Sequence, residues 1–298
     1  MDWQLVFNNL SLPAPDQQKA YDLLSDAFQG ILCLKQNNDR FYLYYDGDSI
    51  YRCTLADAFT YDDYINKLRT DNEIDLLGFI NEIEDQAPCF DHIKEYLFYE
   101  LSNLSPFLCD APYGNNFDIL TLVMCLDNSV MLSLATSDKW DKYTIVFCCN
   151  EDANNKIVKH EIYNISKPEH CTAILKALEG KIEDMCSDAI FSDNFIDWYN
   201  NINKENKIRI RRKIKLCCDN NFELGRPHID TLSGSKYSNM KEIRGGTAYA
   251  ENGRIRILFI RDENRATYIL YGFIKHGNDY TQPIAIAEKI YADTRMSI

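Results

Sequence analysis

Residues 253–277 read GRIRILFIRDENRATYILYGFIKHG. In the first ten, Ile255, Ile257 and Phe259 alternate with Arg254, Arg256 and Leu258, which is the period of two of a β-strand. Asp262-Glu263-Asn264-Arg265 supplies a turn, and ATYILYGFIKHG returns as a second strand. On the N-terminal side, NMKEIRG (239–245) reads as a third, shorter strand. On the C-terminal side, QPIAIAEKIYADTRM (282–296) reads as a helix. Pro283 sits in its first turn, and Ile284, Ala287, Ile290 and Tyr291 face inward.

Upstream lies ELGRPHIDTLSGSKYS (223–238), whose glycines and proline mark a loop. Before it, KENKIRIRRKIKLCCDNN (204–221) fits two patterns. Ile208, Ile210, Ile214 and Leu216 partly alternate as in a strand, whereas Ile210, Ile214, Cys217 and Cys218 fall at helical spacing. The length without a turn residue favours helix. Six basic residues, Lys207, Arg209, Arg211, Arg212, Lys213 and Lys215, then flank the apolar stripe. They either solvate the helix or contact phosphates. FIDWYNNI (195–202) is a short amphipathic helix. The C-terminal part is therefore a helical pair, an antiparallel sheet and a closing helix.

The remainder of the 298 residues is long enough for a second core, and the charge divides the same way. Net charge is −13 overall. Residues 191–298 hold 18 Lys and Arg against 13 Asp and Glu, leaving 14 against 32 before them. Two domains follow, an acidic one over 1–190 and a basic one over 191–298. The excess of +5 is modest, and by charge alone it serves solubility as readily as polyanion binding. A 46% hydrophobic and 26% charged composition is that of a globular protein. No apolar run approaches the roughly 20 residues of a membrane span. The start, MDWQLVFNNLSLPAPDQQ, has no basic region followed by an apolar stretch, so a cytoplasmic location is expected.

In the acidic part, Pro13-Ala14-Pro15-Asp16 opens a helix with Ala20, Leu23, Leu24, Ala27 and Phe28 on one face. GILCLK (30–35), RFYLYYD (40–46) and SIYRCTL (49–55) read as a small antiparallel meander with turns at Asn37-Asn38-Asp39 and Asp46-Gly47-Asp48. Residues 60–104 are mostly helical, with Leu76, Phe79, Ile80 and Ile83 on one face and Ile93, Tyr96, Leu97 and Leu101 on another. Four strands are expected from DILTLVMCLD (118–127), SVMLSLAT, KYTIVFCCN and KIVKHEIYNIS, then a helix over 167–187. This is a mixed α+β domain. His92, His160 and His170 have no local nucleophile or carboxylate pattern, so they read as structural or surface residues. The eleven cysteines include no CxxC pair. Their spacing points to neither a zinc site nor a disulfide framework, and buried thiols are expected.

LGRP, NMKEIR, GRIRILF and YGFIKHGNDYTQPIAIAE together resemble the RelE/HigB superfamily of bacterial toxins, and most of all its phage-derived HigB-like branch. The resemblance runs over about residues 191–297 and leaves the first 190 without a recognised family. It implies a small α+β endoribonuclease that cuts mRNA on the ribosome without metal or other cofactor, and a cognate helix-turn-helix antitoxin as partner. It places the charge-stabilising arginine at Arg256. Lys275 and His276 fall at a strand end where the family has two lysines, so His276 becomes the general acid or base. Lys241, Arg244 and Arg254 would bind RNA, and Tyr280 would stack on a base. Glu242 departs from a uniformly basic lining and is expected to pair with a neighbouring arginine. His228, beside Pro227, reads as structural.

The roughly 190 additional residues imply a regulatory or sensing module. Its acidity would let it dock on the basic domain intramolecularly. The same fold also hosts non-enzymatic inhibitors that bind RNA, ribosome or gyrase, and a phage or stress sensor is the remaining alternative.

Overall fold

The computed structural model describes residues 2–36, 39–92, 105–109, 118–126, 129–150, 157–226, 228–246, 253–277 and 279–296. The chain divides into two units, Met1–Glu179 and Gly180–Ile298. The division lies eleven residues before the composition boundary, because strand Ala189–Phe191 joins the second unit's sheet.

In the first unit, β1 (Asp2–Phe7) is followed by α1 (Gln17–Leu32) and β2 (Arg40–Tyr44), and β2 lies parallel to β1. Asp16 caps α1 by accepting from the Lys19 amide, and Ala20, Leu24, Ala27, Phe28 and Ile31 form its buried face. GILCLK is thus the end of a helix and not a strand, and the expected meander is a β-α-β crossover. The short apolar run GILC continues the helical stripe of Leu24, Ala27 and Phe28. Gly30 has its place there because a Cβ would come within 2.6 Å of Ile165 Cγ2 and 2.7 Å of the Lys167 carbonyl oxygen.

Next come a separate hairpin of β3 (Thr54–Ala56) and β4 (Phe59–Thr60), then α2 (Tyr61–Thr70), α3 (Ile74–Glu82) and β5 (Glu84–Asp85). Thr60 and Asp63 form a capping box at the start of α2. The face expected of Ile93, Tyr96, Leu97 and Leu101 and the turn at Asn37-Asn38 lie outside the described residues. After β6 (Ser105–Leu108), the expected strand DILTLVMCLD is instead helix α4 (Asp118–Cys125). Its Ile119, Leu120, Leu122 and Val123 are all buried with Val6, Met131, Ile145 and Phe147. A short, mostly apolar segment has no clear period from which to tell helix from strand.

β7 (Ser129–Leu132), β8 (Thr144–Asn150) and β9 (Ile157–Ile165) complete a sheet of order β5-β2-β1-β7-β9-β8-β6, and α5 (Pro168–Glu179) packs on α1.

The second unit holds β10 (Ala189–Phe191), α6 (Asp193–Asn201), α7 (Lys204–Asp219), β11 (Ile229–Thr231), β12 (Met240–Gly246), β13 (Arg254–Arg261), β14 (Thr267–Lys275) and α8 (Thr281–Met296). The sheet order is β10-β14-β13-β12-β11, antiparallel throughout except for β10. The ambiguous basic segment is helix α7, capped by Asn203 and burying Ile208, Ile210, Ile214 and Cys217. Buried Arg211 donates to the Gly180 carbonyl and Tyr199 hydroxyl. One face of the sheet packs on α6 and α7. There the Trp198 ring lies on Gly272, where a Cβ would meet it at 2.1 Å. On the other face α8 seals a core of Met240, Leu258, Ile260, Tyr268 and Leu270 with Ile284, Ala287 and Tyr291. Between β13 and β14 the register slips by one residue. Leu258 pairs with Tyr271 and Phe259 with Ile269, leaving Leu270 as a bulge.

The cysteines depart from expectation. Cys109 bonds to Cys148 and Cys186 to Cys218, one bridge in each unit. The doublets explain why the sequence hid this. Adjacent residues on strand β8 point to opposite faces, so Cys148 reaches Cys109 while Cys149 stays in the core. On α7, Cys217 is buried and Cys218 turns to Cys186.

Candidate active site

Strand alternation brings Glu242 and Arg244 of β12, Arg254 and Arg256 of β13, and Phe273 and Lys275 of β14 onto the face that also carries α8. Arg244 is opposite Arg256, Arg256 opposite Phe273, and Arg254 opposite Lys275. The apolar core of α8 occupies the Leu258 end of this face, and the charged residues occupy the other end. Tyr280, the residue before α8, reaches across them.

Its hydroxyl is the hub. It donates to Glu242 Oε2 at 2.6 Å and accepts from Arg256 Nε at 3.3 Å and Lys275 Nζ at 3.2 Å. Arg256 Nε is also 3.3 Å from Glu242 Oε2, and its Nη1 donates to the Ile255 carbonyl at 2.8 Å. The Lys275 ammonium stands 4.2 Å from the Tyr280 ring centroid, and Phe273 meets that ring edge-on. On the outer side, Arg244 lies 3.6 Å from Glu242 Oε1 and 3.6 Å from Asp230 Oδ2, and Arg226 binds Asp230 Oδ2 at 2.7 Å.

Glu242 and Arg256 are only 4% and 2% exposed. A carboxylate so buried is tolerated when cations and donors surround it, as they do here. Burial, and then the Arg256 charge, lower the proton affinity of Lys275. Burial and the hydrogen bond to Glu242 push the Tyr280 phenol above its usual range. The Arg226 hydrogen bond holds Asp230 below the usual carboxylate range. A phenol that resists ionising, placed between a carboxylate and two cations, can pass a proton on as it takes one up.

Arg256, Lys275, Arg244, Arg254 and Tyr280 therefore come together, with Arg254 exposed at the rim. Two expected members do not join them. Lys241 pairs with Phe259 and Thr231, on the opposite face from Glu242. His276 follows Lys275 by one residue, so it faces the other side, beside Gly253 and Ile274, and is exposed. In place of His276, the groups that share a proton on this face are the Tyr280 hydroxyl and the Glu242 carboxylate. Tyr280 itself has its hydroxyl committed to the hub, a use beyond stacking.

Glu242 pairs with arginine as expected, but lies at the centre of the site. The signal was the Glu-x-Arg spacing, which puts both side chains on one strand face. Asp230 was not legible at all, since only the register across β11 and β12 sets it opposite Glu242. His228 is buried, 2.7 Å from Lys213 Nζ, and its carbonyl accepts from the Arg244 amide, which is a scaffolding position. Its neighbour Pro227 lies outside the described residues.

In the first unit, the carboxyl ends of parallel strands β1, β7 and β9, where open sheets bind ligands, are tied by polar side chains. Asn8 donates to Ser133 at 2.8 Å, Ser133 to Asn164 at 2.6 Å, and Asn164 to the Trp140 and Lys142 carbonyls. His170 lies buried nearby against Ser166, and burial lowers its pKa. Among the described residues, no group of three or more His, Cys, Asp or Glu is placed to hold a metal ion, and no helix is long and apolar enough to cross a membrane.

Residues 197–296 match the family model "Phage derived protein Gp49-like (DUF891)". The chain is also 30% identical over 99 residues to a Mycobacterium tuberculosis (strain ATCC 25618 / H37Rv) protein described as "Putative toxin HigB2". That stretch is 32% of this chain and 48% of the relative, so the chain spans about half the length of the relative it matches. No solved structure matches. The C-terminal third is similar to HigB-like toxins over the stretch that carries the sequence motifs.

Proposed function

From a C-terminal third similar to Gp49-like proteins and HigB-like toxins, we propose that this protein is the toxin of a toxin–antitoxin pair and a metal-independent endoribonuclease that cuts mRNA on the ribosome. In that reaction the ribose 2′-hydroxyl attacks the adjacent phosphorus, the 5′-oxygen leaves, and a cyclic phosphate remains. The observation that carries the reading is the Tyr280 hydroxyl held between Glu242 and the cations Arg256 and Lys275. Tyr280 takes the 2′-hydroxyl proton as it hands its own to Glu242, and its raised pKa keeps it from resting as phenolate. Arg256 and Lys275 stabilise charge on the pentacoordinate phosphorus. Lys275, whose hold on its proton burial weakens, gives that proton to the leaving 5′-oxygen.

Translating ribosomes incubated with the protein should show new mRNA ends. Tyr280→Phe keeps the ring and removes the relay, so cleavage should fall by about 10²-fold or more. Arg256→Lys keeps the charge but loses the fork, and should fall in the same direction. Ribosome binding without new ends from the wild type would leave the non-enzymatic inhibitor as the better reading.

The partner on this reading is an antitoxin that covers the basic face. A restraining role for the acidic part rests on the opposite net charges alone. It requires that residues 180–298 arrest translation more strongly than the full chain, and equal arrest removes it.

A further inference from the structure

We propose that Arg226 and Arg244, which share the carboxylate of Asp230, form a second subsite that takes an RNA phosphate flanking the scissile one. The proposal rests on the ribonuclease reading of this sheet face and extends it to a residue outside the chemical centre.

Five charged residues alternate in sign across three strands and the loop before them: Arg226, Asp230, Arg244, Glu242 and Arg256. The inner end, Glu242 with Arg256, is buried under Tyr280. The outer end is open, and the Arg226 side chain is 72% exposed. Asp230 and Glu242 are register partners on β11 and β12, so two carboxylates stand directly opposite on one face. Like charges placed so repel each other. Arg244 stands between them, 3.6 Å from each.

Both of those distances exceed a hydrogen bond, so neither carboxylate saturates the Arg244 guanidinium. Arg226 spends Nε and one terminal nitrogen on the same oxygen of Asp230, at 2.9 and 2.7 Å. Two guanidinium groups thus converge on one anion at the rim, leaving one positive charge in excess. The geometry that holds a carboxylate between arginine forks also suits a phosphate. β11 and β13 are two strand spacings apart, about 10 Å. That separates Asp230, the carboxylate that holds the Arg226 guanidinium, from the strand of Arg256 on the scale of phosphates one or two nucleotides apart on a single strand. Asp230 then occupies the phosphate's place while the site is empty and yields it on binding.

A contact made equally before and during the chemical step acts on KM and not on kcat. The test measures mRNA cleavage by the full chain against the concentration of programmed ribosomes, at two salt concentrations. Arg226→Ala should raise KM about tenfold at low salt with kcat unchanged, and less at high salt. Asp230→Asn, which releases both arginines, should lower KM. Melting temperatures of both variants report that the fold is intact. An unchanged KM for Arg226→Ala, or a fall in kcat alone, would overturn the subsite and leave an ordinary surface ion pair.

If the wild type cuts nothing, the endonuclease reading fails separately. The subsite is then decided by binding of the same message carrying 2′-O-methyl groups. Weaker binding by Arg226→Ala supports it, and equal binding overturns it.

Discussion

At the scale of single residues, the site is a carboxylate and a phenol among cations, and that sets its pH response. On the proposed mechanism Lys275 serves the leaving group only while protonated, and burial lowers its pKa. Cleavage should therefore fall as pH rises through that lowered value, earlier than an ordinary lysine would require. Lys275→Arg should move the alkaline limb upward at a lower plateau, read from kcat/KM against pH. Asp230 has the opposite sign. Its folded pKa is depressed by Arg226, so its contribution to stability is present above the unfolded carboxylate value and is lost as pH falls through the folded one. His276→Ala should keep cleavage within about twofold, the size of a surface change away from the chemistry. A larger loss would return the histidine to the mechanism. That Arg256, Lys275 and Arg244 share one sheet face was legible because strand period and motif order place them, whereas Tyr280 was expected there only to stack on a base. The hub at Glu242 and the pairing of Asp230 were not legible, because both depend on which residue lies opposite on another strand.

At the scale of elements, periodicity succeeded where polar residues punctuate the apolar ones and failed where apolar residues run together. α8 and β12 to β14 carry charged residues at regular spacing, and they read correctly even though β13 is buried along most of its length; α7 needed its length to decide for helix. α4 is apolar at six of its eight positions and read as a strand. The end of α1 was cut off as a strand because GILC alone is too short to show the helical stripe it continues. β1 and β10 went unread, since six and three residues leave little pattern. Close approach between elements also escapes periodicity, and Gly272 beneath Trp198 is the test of it. Gly272→Ala forces the ring away and should cost about 1–3 kcal/mol, read from denaturant unfolding. Trp198→Ala in the same chain should recover part of the loss, as a double-mutant cycle shows.

At the scale of the whole molecule, two units with separate sheets account for the charge step along the chain. The composition put the join near 190 because it sees charge and not pairing. The two bridges join residues 39 and 32 apart, each within one unit. In the chain-entropy view, loops of this length stabilise by about 3–4 kcal/mol each. Peptide mapping without reductant should recover Cys109 with Cys148 and Cys186 with Cys218. Reductant should then lower the melting temperature, and a protein indifferent to reductant would show that the thiol expectation was the correct one.

The bulge at Leu270 settles a question of reading frame. Lys275 and His276 are neighbours on a strand end, so only one of them can look toward Arg256. With the extra residue, odd-numbered positions from Tyr271 onward share the face of Leu258 and Arg256, and Lys275 is chosen. Without it the parity inverts: Gly272, Ile274 and His276 would take that face, and Lys275 would turn toward α6 and α7. One uncounted residue in the middle of β14 thus decides whether the site presents an ammonium or an imidazole.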